Sequence, residues 1–227
     1  MIKYPALEAA FNNVGDNVEF ARKETLDFGH QPALILIRQG FVKVIQTGPS
    51  GKRLAIDLLG TGKIFGEWTM SQNSSVSFTA ESLTPGRARA LRLKDLTARY
   101  GKTAYPKLER ELALLTADWL GHLTAKLEQM AFRSIHSAVA GFLLQLAENH
   151  GKPTIGGILL NLPLSHEQIA EFVGSARSNV TTNLDNLIKS GVIQMGHHRI
   201  LITDATALKK IAATANVLRE EEYARYR

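Results

Sequence analysis

Along 33–93 the apolar residues fall in short runs, ALILIR, FVKVIQT, KRLAIDLL, SVSFTAE and RARALRL, separated by glycine-bearing turns. Runs of this length and β-branched content, bounded by Gly and Pro, read as strands. Many short strands so spaced predict an antiparallel barrel or sandwich. Gly48-Pro-Ser-Gly51 between two of the runs reads as a hairpin turn. From Tyr105 the period changes to that of a helix, with Leu112, Thr116, Trp119, Leu123, Leu127 and Met130 on one face and Leu108, Leu115 and Leu120 outside that stripe. A helix apolar on more than one side has more surface to hide than one domain covers. One side is expected against the strands and the other against a second copy of the chain. The joint to the second domain is expected at 131–134, before an amphipathic helix ending near Gly151 and a short extended pair around 158–162.

The segment 164–192, LSHEQIAEFVGSARSNVTTNLDNLIKSGV, carries the most information. Ser165 and Gln168 have the spacing of a capping box, in which each side chain satisfies a backbone N–H at a helix start. Ile169, Ala170 and Val173 give that helix an apolar face, and Gly174 permits a tight turn. In the next helix Val180, Leu184, Leu187 and Ile188 form a stripe to be buried, while Arg177, Ser178, Thr181, Thr182, Asp185 and Lys189 share the other side. Gly191 stands where helices commonly end. After it VIQM, a GHHR turn with His197, His198 and Arg199 at its tip, and ILI predict a two-stranded wing. A helical hairpin with an ordinary solvated face would explain each piece singly. The consecutive order of helix, turn, helix and basic-tipped hairpin is the layout of a DNA-reading helix-turn-helix.

Composition narrows the chemistry. The 227 residues suffice for two modest domains, and the absence of cysteine excludes disulfides, Cys-based zinc sites, thiolate nucleophiles and thiolate-held iron–sulfur clusters. No apolar run approaches the roughly 20 residues of a membrane helix, and the N-terminal residues have no signal-peptide pattern, so a cytoplasmic protein without a membrane partner is expected. The formal charge of +6 suits a polyanion, yet over 134–213 six basic residues stand against five acidic ones, a net of +1. DNA affinity would then rest on a few placed contacts and on dimerisation. The run GTGKIFG is not a phosphate loop, because Asp57 stands where that motif needs glycine and Ile64 where it needs Ser or Thr. His197-His198 has no third ligand nearby, and haem ligation by His30 or His122 is not favoured. Neither cofactor nor metal is expected. No nucleophile–base set or carboxylate pair is discernible, so no enzyme is expected.

LPLSHEQIAEFVGSARSNVTTNLDNLIKSGVI, with HHRILITDATALKKIA after it, resembles the winged helix-turn-helix of the CRP/FNR superfamily of transcription regulators. PSGKRLAIDLLGTGKIFGEW resembles the jelly-roll effector domain of the same family, with Gly51, Gly60, Gly62 and Gly66-Glu67 at its turns. The likeness spans roughly 25–213. It implies an α+β chain: an N-terminal β jelly roll of the cyclic-nucleotide-binding kind (1–104), a long dimerisation helix and hinge (105–133), a C-terminal winged helix-turn-helix (134–213) and a tail (214–227). It implies a homodimer on a two-fold site in double-stranded DNA, with RNA polymerase a further partner. Arg177 matches a position where many members keep a guanine-binding arginine, so Ser165, Ser175, Arg177, Ser178, Thr181, Thr182, His198 and Arg199 are the DNA-binding candidates. Ser178 and Thr182 replace the glutamate and arginine of the cyclic-AMP receptor and cannot make their bidentate contacts, so a different half-site is expected. The capping serine of the family is Ala176 here, with Ser175 expected to replace it.

In members that bind cyclic nucleotides, a Gly-Glu pair and a following Arg-Ser hold ribose and phosphate. Gly66, Glu67 and Ser77 are the matching effector residues, but Val76 stands in place of the arginine, and no arginine occurs between Arg53 and Arg87. A buried phosphate without a cationic partner is costly, so cyclic AMP is not the expected effector, and the effector is left open. The segment 27–34 is shorter than its family counterpart, so a reduced or closed pocket is expected, with Glu67 capping backbone N–H groups at the turn. The rival reading is a sensor or adaptor module, binding a small molecule or a protein, that lacks specific DNA binding.

Overall fold

The computed structural model describes residues 4–26, 32–70, 78–100, 105–196 and 199–214. These fall into two compact units, Met1–Leu123 and Thr124–Arg227. His198, Ser77, the segment 27–31 and the tail beyond 214 lie outside the described residues.

In the first unit, helix α1 (Pro5–Val14) precedes eight strands: β1 (Asp16–Phe20), β2 (Thr25–Leu26), β3 (Ala33–Gln39), β4 (Val42–Thr47), β5 (Arg53–Leu59), β6 (Ile64–Phe65), β7 (Phe78–Ser82) and β8 (Gly86–Arg92). They make two four-stranded antiparallel sheets, ordered β1-β8-β3-β6 and β2-β7-β4-β5. The Gly48 turn closes β4 onto β5, with the Gly51 N–H donating to the Gly48 carbonyl at 2.9 Å. GTGKIFG, expected to be a turn throughout, begins as one, with the Lys63 N–H on the Gly60 carbonyl, but its Ile64 and Phe65 form β6 against β3. Alternate residues of β3 serve two cores. Ala33, Ile35 and Ile37 face the interior of the roll with Phe20, Val42, Val44, Leu59 and Phe65. Leu34 and Leu36 pack outward against Leu7 and Phe11 of α1. The continuous apolar run is thus a strand buried on both faces.

Helix α2 (Leu93–Tyr100) and the 28-residue α3 (Tyr105–Phe132) come next. Leu108 and Leu115 of α3 are buried in the outer core, with Leu112 partly so, and Trp119 packs on the inner one. The side of α3 that meets the roll therefore runs 108, 112, 115, 119 at three/four spacing. Of the other expected stripe, Thr116, Leu127 and Met130 are exposed, as are Leu114 and Leu120 outside it. Glu111 receives the N–H groups of Ala6 and Leu7 at 3.0 and 2.8 Å, capping α1, which has no side-chain cap of its own.

The second unit contains the end of α3, then α4 (Ile135–His150), β9 (Lys152–Thr154), β10 (Gly157–Leu160), α5 (His166–Val173), α6 (Arg177–Lys189), β11 (Ile193–Gly196), β12 (Arg199–Ile202) and α7 (Ala205–Ala213). Ser134 caps α4, its hydroxyl accepting the Ser137 N–H. The wing is larger than its sequence suggested. β12 pairs with β10 as well as β11, giving a four-stranded sheet β11-β12-β10-β9, because Ile200 and Ile202 find Leu160 and Ile158 opposite them.

Lys43 is only 2% exposed and pairs with Glu81 at 3.0 Å; the other carboxylate oxygen of Glu81 meets Arg53 at 2.6 Å. Burial pushes the Glu81 carboxyl up, but Arg53 and Lys43 together hold it below the ordinary range. Glu81→Ala would leave two cations facing each other, one of them buried. We predict a loss of roughly 3 kcal/mol, toward the low end for a broken buried pair because Arg53 and Glu81 are partly solvated. Urea unfolding at neutral pH measures this; an unchanged midpoint would refute it.

Candidate nucleic-acid interface and internal cavity

Helix α5 starts on the expected capping box: Ser165 Oγ accepts the Gln168 N–H at 3.2 Å, and Gln168 Oε1 accepts the Ser165 N–H at 2.9 Å. It ends at Gly174, whose φ of +75° lets the chain turn where a side chain would be strained. Ile169, Ala170, Phe172 and Val173 are buried, with Phe172 stacked on Phe142 of α4 at 4.7 Å. Helix α6 buries Val180, Leu184 and Leu187. Ile188, expected in that stripe, is exposed. Its end is a Schellman motif, with the N–H groups of Gly191 and Val192 on the carbonyls of Ile188 and Leu187.

The exposed side of α6 carries Arg177, Ser178, Thr182, Asp185 and Lys189. Arg177 makes no hydrogen bond or ion pair among the described residues. Three hydroxyls are already engaged. Thr182 Oγ1 donates to the Ser178 carbonyl at 3.1 Å, Thr181 Oγ1 lies 2.9 Å from His166 Nδ1, and Ser165 is held in its capping box. Thr181 is thus half-buried at the edge of the exposed face, joining α6 to the start of α5. Ser175 does not cap α6, which corrects that expectation. Ala176 is the N-cap and offers no side-chain bond, whereas Ser175 Oγ accepts from Asn179 Nδ2 at 3.3 Å. The first N–H groups of α6 therefore lack a side-chain cap beside the free guanidinium of Arg177. Arg199 is exposed at the start of β12, opposite Gly196. His166, Asn179 and His136, which bonds Asn183 at 3.0 Å, were not singled out from sequence; only the fold brings them beside α6.

In the first unit, Gly66 has φ +103°, and a Cβ there would stand 2.4 Å from the Ala33 carbonyl oxygen, so only glycine fits. Thr69 locks this turn, accepting the Ala33 N–H at 3.0 Å and donating to the Gly66 carbonyl at 2.6 Å. Glu67 is 8% exposed, and its Oε1 has no partner. Burial raises its carboxyl to about 7; the N–H groups of Glu67 and Gly66 oppose the rise and Asp57 adds to it. A cavity of about 730 Å³ opens beside it, lined by Tyr4, Arg38, Asp57, Lys63, Asp118 and Trp119 among others. The cavity is open, which corrects the expectation of a closed pocket. His122 Nδ1 lies 3.2 Å from Asp57 Oδ2, a bond that raises the imidazole above its usual value. Tyr4 donates to Asp118. Phe65, Trp68 and Phe78 of the roll cluster with Trp119 of α3 at centroid distances of 5.2 to 5.9 Å, Phe65 stacked on Trp68 and Phe78 edge-on to both tryptophans. Among the described residues no group of three or more His, Asp or Glu side chains could hold a metal ion, and no helix is long and apolar enough to cross a membrane.

A β-roll with a partly open cavity between it and its flanking helices, joined through a long helix to a winged helix-turn-helix, defines the class of two-domain DNA-binding regulators. The family model of the cyclic nucleotide-binding domain matches residues 18–100, and that of the Crp-like helix-turn-helix domain matches residues 137–211. A global nitrogen regulator of Synechococcus elongatus is 28% identical over 196 residues, 85% of this chain and 87% of its own. A CRP-like cAMP-activated global transcriptional regulator of Mycobacterium tuberculosis is 26% identical over 210 residues, 92% and 93% of the two chains. A CRP-family transcriptional regulator of Thermus thermophilus superimposes with a TM-score of 0.72 at 25% identity, covering 87% of this chain and 97% of that one. FixK2 of Bradyrhizobium japonicum shares the fold, with a TM-score of 0.73 at 20% identity over 88% and 98% of the chains. The chain belongs to the CRP/FNR family, whose members are transcription regulators with a helix-turn-helix DNA-binding domain.

The raised Glu67 carboxyl sets a pH dependence. Below about pH 4.5 it is protonated in both folded and unfolded chains, and between there and about 7 the native state alone keeps its proton. Stability conferred by that retained proton falls as pH rises through this window and is fully lost above it. Glu67→Gln, which keeps shape without charge, should be more stable than wild type by roughly 3 kcal/mol at most above pH 7, with no advantage near pH 4. Denaturant unfolding at pH 4, 6 and 8 checks this; a difference independent of pH counts against it.

Proposed function

We propose that the protein is a sequence-specific DNA-binding transcription regulator, acting as a homodimer and not gated by cyclic AMP. The observation that carries the reading is the exposed polar face of α6, headed by an unpartnered Arg177 and held by the capping box of α5 and the Schellman end of α6. An arginine so placed can form a bidentate contact to guanine worth about 1 to 3 kcal/mol of discrimination. Ser178, the Asn179 amide and the uncapped N–H groups of α6 supply further donors for phosphate or base edges.

Dimerisation is inferred from α3. Leu120 and Leu127, two turns apart on one side, are 63% and 68% exposed; Thr124 lies between them and Ala113 and Ala117 precede them at the same three/four spacing. Small residues beside two leucines suit a close helix pair. Two copies would present two α6 helices to successive major grooves about 34 Å apart. Independence from cyclic AMP is inferred from the missing cassette arginine: the Mycobacterium tuberculosis relative is described as cAMP-activated, but this chain has no arginine between Arg53 and Arg87.

Three measurements test this. Specific fragments recovered from genomic DNA should be retained in a gel shift by wild type, and Arg177→Ala should lose roughly ten- to a hundredfold in specific affinity while keeping salt-sensitive binding to any DNA. Equal, non-specific retention of all fragments by wild type would favour a sensor module without DNA specificity. Leu120→Glu with Leu127→Glu should convert a dimer to a monomer in sedimentation equilibrium, and a wild-type monomer would overturn the dimer. Calorimetric titration should show no micromolar binding of cyclic AMP.

A further inference from the structure

A second cavity of the first unit, of about 570 Å³, shares only Arg38 with the lining of the one beside Glu67. Strand alternation makes it polar. Val18, Phe20, Ala88 and Ala90 of β1 and β8 turn into the inner core, so Asn17, Glu19, Arg87 and Arg89 turn outward, Arg87 opposite Glu19 and Arg89 opposite Asn17 in register. Arg38 and Gln39 of β3 close the other side. The charged lining is three guanidiniums against the one carboxylate of Glu19. Arg38 is neutralised by Glu8 at 3.2 Å. The other two arginines are held by neutral acceptors instead. Arg87 Nη2 donates to Gln39 Oε1 at 3.0 Å, and Arg89 Nη2 to the carbonyls of Gly15 and Asn12 at 2.5 and 3.3 Å. These bonds fix both forks without cancelling their charge, and among the described residues neither arginine, nor Glu19, makes an ion pair. Arg92, further along β8, is by contrast paired with Asp16. Of the unbonded nitrogens of Arg89 only Nε is buried, so Nη1 keeps accessible donors, and Arg87 as a whole is exposed.

We propose that this cavity binds a dianionic phosphate group, free or carried by a small molecule as a monoester, between the Arg87 and Arg89 guanidiniums. The two side chains rise from one strand two residues apart, roughly 7 Å between Cα atoms. A carboxylate fills one guanidinium fork, whereas the oxygens of a phosphate can accept from two. A cyclic phosphodiester carries half the charge, so this site is separate from the question of cyclic AMP. Any consequence for transcription rests on the function proposed above. The binding itself needs no DNA, and its failure leaves the gel-shift result untouched.

Calorimetric titration of the full-length protein at pH 7.5, where a phosphomonoester carries close to two charges, tests this with glycerol 3-phosphate, inorganic phosphate, glycerol and acetate. Saturable binding of a phosphate, with none of glycerol and at least tenfold weaker binding of acetate, supports the proposal. Tighter binding of glycerol 3-phosphate than of inorganic phosphate assigns the site to an organic monoester, and equal binding assigns it to the free ion. Arg87→Gln, at an exposed position, should weaken phosphate at least tenfold. Lys63→Gln, which removes an exposed cation lining only the cavity beside Glu67, should leave it unchanged. The comparison among ligands uses wild type alone and does not depend on a variant folding. Absence of saturable phosphate binding, equal binding of acetate, undiminished binding by Arg87→Gln or loss of binding in Lys63→Gln would each overturn it.

Discussion

Strand β3 imposes the constraint from which the first unit is built. Five consecutive apolar residues, Ala33 to Ile37, cannot present a polar face to water, so both sides of the strand must be covered. The second sheet covers one side, and α1 with the buried leucines of α3 covers the other. That demand explains why a helix of weak intrinsic cap is held at its start by Glu111, a residue of α3. It also accounts for Gly66, whose backbone must approach the Ala33 carbonyl closer than any side chain allows. The same close approach sets Glu67 in the interior, where its carboxyl is desolvated.

The helix-turn-helix obeys a different logic. Its order is local: a capping box, a left-handed glycine and a Schellman turn each act within six residues. These signals survive in the sequence because they depend on little else. The first unit is assembled from contacts of long sequence separation, such as Tyr4 with Asp118 and Asp57 with His122. Residues that meet only after folding leave no spacing to read.

This difference governs what could be foreseen. Strands β3, β4, β5, β7 and β8, the Gly48 turn, α5, α6 and the buried faces of those two helices were legible from periodicity and turn chemistry, Ile188 excepted, whereas α1, β1, β2 and the two-residue β6 were not. The register of α3 was not, because 108-112-115-119 and 112-116-119-123 both satisfy helical spacing and share Leu112 and Trp119. Only the partner surface chooses between them. The wing looked two-stranded because its third member, β10, lies more than thirty residues before β12 along the chain. Ser175 was expected to cap α6 on proximity alone; the Asn179 amide, one turn into the helix, competes for its hydroxyl and wins. The cavity was hidden for the deeper reason that a shorter connecting segment says nothing of the volume that other elements leave.

The near-neutral charge of the DNA-reading part bears on how such a regulator could be controlled. With a net of +1 over 134–213, a single subunit has little general attraction for a polyanion. In the proposed dimer, the second half-site is engaged at a high effective concentration set by the connection between subunits, and affinity rises steeply only when both fit together. A strongly basic domain would stay on DNA whatever its partner did. A weakly basic one makes binding depend on the alignment of two copies, so a modest change at α3 has a large effect. In the proposed dimer, the low charge of 134–213 therefore ties affinity to the presence and alignment of the second copy.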